Sequence, residues 1–348
     1  MRRPKAAPAL VLAAFLALAA CSTAATPTAT APPTATATPA ATATPVYRFG
    51  VVGNQGKIAQ LERGTPTVVA GITGKVIQIA TSNSDSYALT SAGTVWAWGV
   101  GSYGELGDGG TSAYVTRAVQ VSFPAGVKIV ALPNPMPFDG ALAIDSLGRA
   151  WGWGLNANGD LCLSGLAQLR PSRIPLTDVT AATGARTHSL FDSGGRVYAC
   201  GAGADGVLGN GSTASSSKPV PVTGLPPAAR VTALTSSWEG SGALLSSGVY
   251  YDWGYNAAGQ LGDGGTADSD VPVRVRAPAG VTFTTVNSGG YSCYAIDSSG
   301  RLWAWGGNQN GQLGTGSSTR IETTPVNVGI HLTQVSSTAS NVAGFEQS

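Results

Sequence analysis

Side chains capable of acid–base, nucleophilic or metal chemistry are sparse in this chain of 348 residues. It has four cysteines, two histidines (His188 and His331) and no Cys-x-x-Cys pair. That inventory disfavours a zinc site, which usually takes four closely spaced Cys or His ligands. No Ser–His–Asp spacing stands out from chance, and no glycine-rich phosphate loop joins a strand to a helix. The sequence therefore indicates no catalytic residue, no metal and no cofactor.

One cysteine follows a pattern typical of a modification site. A basic N-terminal segment precedes an apolar run over residues 9–20, and Cys21 comes directly after it. The run is too short to span a bilayer, which needs about 20 residues, and fits the apolar region of a signal peptide. Its last residues, Leu-Ala-Ala-Cys, resemble a bacterial lipobox, so residues 1–21 are predicted to be a lipoprotein signal that ends in lipidated Cys21. The alternative is an ordinary signal peptide cleaved nearby.

Residues 22–45 form a second segment of distinct composition. They comprise nine Thr, nine Ala, five Pro and one Ser. Without charge or large apolar side chains, the segment cannot bury enough surface to fold. We predict a disordered Thr/Ala/Pro tether between the anchor and a folded domain over residues 46–348.

The remaining chain repeats one motif. Residues 303–314 read Trp-Ala-Trp-Gly-Gly-Asn-Gln-Asn-Gly-Gln-Leu-Gly, and four variants begin at Trp96, Trp151, Tyr198 and Tyr251. In every copy a turn glycine lies 13 residues before the motif leucine, while the copies recur at intervals of 47 to 55 residues. A core of fixed length with connections of variable length is typical of loops on a repeated scaffold.

Each repeat consists of short alternating segments separated by glycine turns, which predicts four short antiparallel strands. The motif aromatics stand two residues apart, as Trp303 and Trp305 do, so both point to one face of a strand. A single four-stranded sheet cannot bury such a face alone, whereas stacked sheets can. The sequence predicts an all-β propeller in which these aromatics pack between blades rather than form a sugar-binding platform.

The WxWGxNxxGQLG motif, the Asp-Ser-x-Gly-Arg turn before it and the segment 187–190 (Thr-His-Ser-Leu) resemble the regulator-of-chromosome-condensation repeat. The resemblance covers residues 46–348 and implies a β-propeller of stacked four-stranded blades, here similar to exported bacterial members. Cys162 departs from the pattern by replacing a motif glycine, and Cys200 by replacing the second tryptophan. Only one copy has the histidine, His188, for which we expect a structural role.

The blade number follows from the ends of the chain. Five copies are complete, and Tyr47 and Phe49 repeat the aromatic spacing of a degenerate further copy. Residues 332–335 and 341–345 match the first two strands of a repeat. We therefore expect six blades, with the sixth shared between the N- and C-terminal segments so that the ring closes.

The loops before the second strand of each blade are the candidate binding region. They occupy equivalent positions, so a propeller gathers them on one face, and they share no consensus. Aromatics and arginine in such loops are typical of protein-binding surfaces. The alternative is that these side chains fold back on their own loops. The predicted contact residues are Asp85, Phe138, Arg186, Trp238 and Tyr291.

Charge and location restrict the class of partner. Without the three cations of the signal segment, 17 Lys and Arg oppose 18 Asp and Glu, so the basic character of nucleic-acid binders is missing. We expect a monomer, exported and lipid-anchored to the outer face of a bacterial membrane, that binds an extracellular or periplasmic protein. Inhibitors of β-lactamases are among the similar secreted propellers. The alternative is a cell-envelope enzyme or glycan-binding protein acting on peptidoglycan or polysaccharide. A cluster of acids in the central channel would favour this alternative.

Three cysteines remain once Cys21 is lipidated. An exported chain meets oxidising conditions, in which thiols tend to pair. Cys162 and Cys200 lie at opposite ends of the motif in adjacent repeats and are the favoured pair, which leaves Cys293 free. Three free thiols would be the other outcome.

The anchor can be tested by Cys21→Ala. Because the lipid is the membrane attachment in this interpretation, the variant is expected in the medium or periplasm when cells are fractionated. A variant that still sediments with membranes would rule the interpretation out.

Overall fold

The computed structural model describes residues 46–48, 67–337 and 342–345, and Phe49, Cys21 and the tether lie outside them. Five four-stranded antiparallel sheets, blades 1 to 5, follow one another along the chain, with a two-stranded sheet before and after them. The leading sheet is β1 (Tyr47–Arg48) and β2 (Thr67–Val68). Blade 1 is β3 (Val76–Thr81), β4 (Asp85–Thr90), β5 (Val95–Gly101) and β6 (Ser112–Gln120); blade 2 is β7 (Ile129–Ala131), β8 (Gly140–Asp145), β9 (Ala150–Leu155) and β10 (Ala167–Arg173). Blade 3 is β11 (Val179–Gly184), β12 (His188–Ser193), β13 (Arg196–Gly201) and β14 (Ser216–Pro221), with a 3-10 turn at Ala204–Gly206; blade 4 is β15 (Val231–Ser236), β16 (Gly240–Leu245), β17 (Tyr250–Gly254) and β18 (Ser269–Arg274). Blade 5 is β19 (Phe283–Ser288), β20 (Ser292–Asp297), β21 (Arg301–Gly307) and β22 (Ile321–His331), and the trailing sheet is β23 (Gln334–Ser337) and β24 (Val342–Phe345).

The predicted all-β propeller fold is confirmed. Every blade is a meander in which consecutive strands pair, and the first strand of each blade from β11 onward contacts the first strand of the next sheet. No helix among the described residues has the length and apolar character needed to cross a membrane.

The Asp-Ser-x-Gly-Arg turn joins the second and third strands through one carboxylate. Asp145 Oδ1 accepts hydrogen bonds from the backbone N–H groups of Leu147 and Arg149, at 2.9 and 3.0 Å. Its Oδ2 accepts from Arg149 Nε at 2.6 Å and from Trp151 Nε1 at 2.9 Å. Burial opposes the charge, but these bonds outweigh it and hold the pKa of Asp145 below its usual range. Asp297 makes the same contacts in blade 5.

In blades 2, 4 and 5 the second aromatic of the motif ties its blade to the preceding one. Its indole Nε1 donates to the backbone carbonyl of the residue before the motif leucine in the previous blade. The bonds are Trp153 to Glu105 at 2.9 Å, Trp253 to Val207 at 2.9 Å and Trp305 to Gln260 at 2.8 Å. Each of these indoles is fully buried. We refer to this contact as the blade joint.

A glycine follows the leucine at each joint because no side chain fits there. Gly262 has φ +63°, and a Cβ on it would lie 2.8 Å from the Nε1 of Trp305. Gly209 stands in the same relation to Trp253, with φ +64° and 2.6 Å. The left-handed backbone and the close indole both exclude larger residues.

The joint between blades 2 and 3 is covalent instead. Cys162 takes the glycine position with φ +54°, and Cys200 takes the tryptophan position. They form a disulfide with Cα atoms 5.3 Å apart, so the favoured pairing is confirmed, and Cys293 is free and buried. A small residue in the indole site leaves room for the Cβ that a glycine normally lacks.

The two end sheets match the predicted halves of a sixth blade. Val46 and Val69 pack with Ala88 and Trp98 of blade 1, while Val335 of the trailing sheet packs in the core of blade 5. Within the described residues the leading and trailing sheets are two separate two-stranded sheets. Pairing of β24 with β1, which would close the ring, stays a prediction.

A double-mutant cycle tests the blade joint. Cys200→Trp alone should be strongly destabilised, since the new indole meets the Cys162 side chain, and Cys162→Gly alone should lose the disulfide. The pair Cys162→Gly/Cys200→Trp restores the arrangement of the other joints, so we expect a favourable coupling of about 1–3 kcal/mol in urea unfolding. Additive effects of the two substitutions would contradict this account of the joint.

Candidate protein-binding face

Blade topology divides the loops between two ends of the propeller. In a four-stranded meander, the connections from the first to the second strand and from the third to the fourth lie at one end, which we term the loop face. The turns from the second to the third strand and the connections between blades lie at the other end, the turn face. All five predicted contact residues belong to loop-face connections or to the strand end next to them.

Hydrogen bonds between blades fix the first-to-second loops relative to one another. Asn83 N–H donates to the carbonyl of Phe138 at 3.0 Å, and Phe138 N–H donates to that of Ala185 at 3.2 Å. The buried Ser236 hydroxyl continues the chain by donating to the carbonyl of Gly184 at 2.8 Å. The loops of blades 1 to 4 therefore present a surface that is largely ordered before any partner arrives, which lowers the entropic cost of binding.

Arg186 is stacked between two aromatic rings from the neighbouring blades. Its Cζ lies 5.9 Å from the ring centre of Phe138 and 5.2 Å from that of Trp238, within the range of cation–π attraction. Trp238 is still 52% exposed. Phe138, Arg186 and Trp238 thus form an aromatic–arginine stack across blades 2, 3 and 4.

Tyr291 extends this surface to blade 5. It is 44% exposed, and its ring centre lies 6.2 Å from that of Tyr255 at 69°. Partial burial and the negative charge of Glu239 raise the pKa of Tyr291. We name the loop-face residues Phe138, Arg186, Trp238 and Tyr291 together the stack surface.

Asp85 is buried in blade 1 and does not form part of this surface. It is the first residue of β4, is only 3% exposed, and its Oδ2 accepts from the Ser82 and Ser84 hydroxyls at 3.0 and 3.4 Å. Burial raises the pKa of Asp85 to about 8, with the charges of Glu105 and Asp139 acting in the same direction. The carboxyl faces the protein interior because the Ser82–Ser84 loop covers it, so its location differs from that expected of a contact residue.

Three further acids have raised pKa values and were not anticipated from the sequence, and two of them, Glu105 and Asp139, act on Asp85. Burial raises the pKa values of Glu105, Asp139 and Asp160, that of Asp160 to about 6, and the charge of Asp139 adds to the effect on the other two. A hydrogen bond from Asn83 and the charge of Arg186 counteract it at Asp139. The available signal was positional, since Glu105 and Asp160 both precede the motif leucine.

A small cleft opens beside the stack between blades 3 and 4. Arg186, Trp238, Glu239 and Asp205 line it, and its volume is about 160 Å³. At roughly 30 Å³ per water molecule this is room for about five waters, which is less than the roughly 300–1,000 Å³ of a small-molecule site. The cleft has the size of one side chain.

His188 has a structural position, as expected. It is fully buried, its Nε2 lies 2.8 Å from the Ser241 hydroxyl of the next blade, and burial lowers its pKa to about 4. The Asp-Gly-Gly segments after two motifs are turns in which Asp108 and Asp263 accept from the N–H two residues on, both at 2.9 Å. No group of three or more His, Cys, Asp or Glu among the described residues is placed to hold a metal ion.

Comparison with known proteins agrees with the repeat motif and the fold. The family model described as the regulator of chromosome condensation (RCC1) repeat matches residues 194–244, 247–296 and 299–343, and a second model with the same description matches 283–312. Residues 194–343 of the chain are thus made up of regulator-of-chromosome-condensation (RCC1) repeats. The unit 194–244 runs from the third strand of blade 3 to the second strand of blade 4, so an RCC1 unit spans the connection between two blades.

Relatives and solved structures share this RCC1 architecture. The ultraviolet-B receptor UVR8 of Arabidopsis thaliana is 30% identical over 73% of this chain and 58% of its own. The mitochondrial RCC1 domain-containing protein RUG3 of the same plant is 31% identical over 72% and 58%. The chain thus spans little over half the length of either relative. Human WBSCR16 superposes with a TM-score of 0.70 at 19% identity, over 84% of this chain and 80% of that one. Prp20p of Saccharomyces cerevisiae, a protein with binding properties toward Gsp1p and histones, gives 0.68 at 20% identity, over 79% and 69%.

The raised pKa of Asp85 predicts a pH dependence of stability in this RCC1 propeller. Its folded-state pKa of about 8 exceeds the ordinary value of 3.8, so folding takes up a proton at intermediate pH. The free energy of unfolding should fall as pH rises from about 4 to 8, by up to about 1.4 kcal/mol per pH unit from this group. Asp85→Asn should match the parent at pH 4 and exceed it at pH 8 in urea unfolding. Equal pH dependence of variant and parent would show that the Asp85 carboxyl does not carry the effect.

Proposed function

We propose that this propeller is a protein-binding module, and that the stack surface of Phe138, Arg186, Trp238 and Tyr291 is where its partner docks. The observation that carries the proposal is the stack itself. An arginine held between two aromatic rings, one of them more than half exposed, combines the residue types that dominate binding energy at protein interfaces. The binding properties of Prp20p, a propeller of the same fold, toward Gsp1p and histones are in keeping with this role.

The location of the module is the second part of the proposal. The lipobox-like sequence at Cys21 and the Thr/Ala/Pro composition of residues 22–45 support a propeller held at the outer face of a bacterial membrane by a lipid. The partner would then be an extracellular or periplasmic protein, and an inhibitor that blocks such a protein is one form of this function.

The enzyme alternative gains no support from the acids around Asp85. A general acid or base must come within hydrogen-bond reach of its substrate. Asp85 and Asp160, at the loop face, are only 3% and 4% exposed, so their side chains point into the protein interior. Their raised pKa values are accounted for by burial and mutual repulsion.

Substitution of the exposed aromatics tests the proposed function. Trp238→Ala and Tyr291→Ala should each weaken binding to a protein captured by the parent from envelope extract. The loss expected for Trp238, as an interface anchor, is about 2–4 kcal/mol, or roughly 30- to 1,000-fold. Unfolding free energy should change by about 0.5 kcal/mol, since both side chains are largely on the surface.

Leu147→Ala is the matched control. This leucine is 68% exposed and lies in a turn between the second and third strands, on the turn face. It should leave binding unchanged. Equal losses from Leu147→Ala and Trp238→Ala, or a large loss of stability in the Trp238 variant, would contradict a docking role for the stack surface.

A further inference from the structure

Charge is unevenly distributed between the two ends of the propeller. The connections on the loop face hold eight acids and two cations. The acids are Glu105, Asp108, Asp139, Asp160, Asp205, Glu239, Asp263 and Asp268, and the cations are Arg186 and Arg320. The turn-face connections of the five blades hold one acid, Asp178, and the cations Lys128, Arg149, Arg230 and Arg276. A near-neutral chain therefore presents an acidic end and a basic end.

The acids next to the stack form no salt bridge among the described residues, although the charge of Arg186 acts on Asp139 and Glu239 from a longer distance. Within residues 67–337 the ion pairs are Arg149 with Asp145 and Arg301 with Asp297, both at the turn face. Glu239 lies near Asp205 and Asp268, and burial together with the repulsion from these two carboxylates raises its pKa, against the attraction of Arg186. Two carboxylates, Glu239 and Asp205, thus line the cleft beside Trp238 without a salt-bridge partner.

We propose that the loop face binds a basic surface of the protein partner, and that the cleft between blades 3 and 4 receives one lysine or arginine side chain. The inference rests on the proposed protein-binding function and specifies the chemistry of the partner. The incoming cation would lie against the exposed part of the Trp238 ring, which attracts cations, with Glu239 and Asp205 as its counter-charges. A volume of about 160 Å³ accommodates such a side chain.

Arg186 offers the opposite possibility, in which a carboxylate of the partner binds to the edge of its guanidinium group. The surroundings favour the cation, because Arg186 already lies close to the rings of Phe138 and Trp238 and interacts with the charges of Asp139 and Glu239. An incoming carboxylate would meet the accessible acids Asp139, Asp205 and Glu239 near the stack, and like charges brought together oppose association.

The test uses labelled hexa-arginine and hexa-glutamate peptides with the full-length protein. Hexa-arginine should bind, with an affinity that falls between 50 and 200 mM salt, and hexa-glutamate should not. The pair Glu239→Gln/Asp205→Asn should weaken hexa-arginine binding about 5- to 30-fold, from two ion pairs near a protein surface. Trp238→Leu should also weaken it.

Asp178→Asn is the control for charge alone. Asp178 and Asp205 both have left-handed backbones, with φ of 54° and 58°, which asparagine tolerates, and they lie on opposite faces. Asp178→Asn should leave hexa-arginine binding unchanged. A loss equal to that of the double variant, or tighter binding of hexa-glutamate than of hexa-arginine, would overturn the proposal.

The captured partner separates this inference from the function on which it rests. If Trp238→Ala loses the partner and Glu239→Gln/Asp205→Asn keeps it at parental affinity, the cation site is refuted while the docking surface stands. If both variants keep the partner, the proposed function itself fails. Loss of the partner by both variants supports the docking surface and the cation site together.

Discussion

The blade joint is the contact on which the other features of this propeller depend. A buried indole N–H reaches the preceding blade's backbone carbonyl at 2.8–2.9 Å in three joints, beside a glycine that has no room for a Cβ. Each bond contributes only about 1 kcal/mol, but it fixes where the indole lies, and the large apolar ring buries the face that a lone sheet would leave in water. The disulfide at Cys162 and Cys200 occupies the same place by a different bond.

The joints make the loop face a rigid platform. Because each joint holds the third-to-fourth loop of one blade against the next blade, the neighbouring first-to-second loops come close enough to exchange backbone hydrogen bonds. Arg186 can then bridge rings from blades 2 and 4. Variable residues on a fixed frame are a common way for one fold to serve different partners.

The fold was predictable because its determinants recur. The 13-residue spacing from turn glycine to motif leucine fixes the third strand in all five copies, and the end segments were identified by their match to parts of that unit. The disulfide was also predictable, since Cys162 and Cys200 both depart from the motif at positions that meet in one joint. Phe138, Arg186 and Trp238 come together for the same reason, namely that loops equivalent in the repeat become neighbours in the ring, and Tyr291 lies on the same face.

What escaped prediction depends on distances across the ring rather than along the chain. Asp85 looked like a loop residue, yet it begins β4 and is covered by the Ser82–Ser84 loop. Glu105, Asp139 and Asp160 are far apart in sequence and no periodic pattern links them, so their mutual repulsion is visible only in three dimensions. The stacking of Arg186 likewise needs side-chain geometry that no spacing specifies.

The central claim, that the partner docks on the loop face, is tested most directly by hydrogen–deuterium exchange of the full-length protein with and without its captured partner. We predict slower exchange in residues 132–139, 185–187, 237–239 and 289–291, and no change in 146–149, 194–195, 246–249 and 298–300. Protection confined to the second set would place the interface on the turn face and contradict the claim.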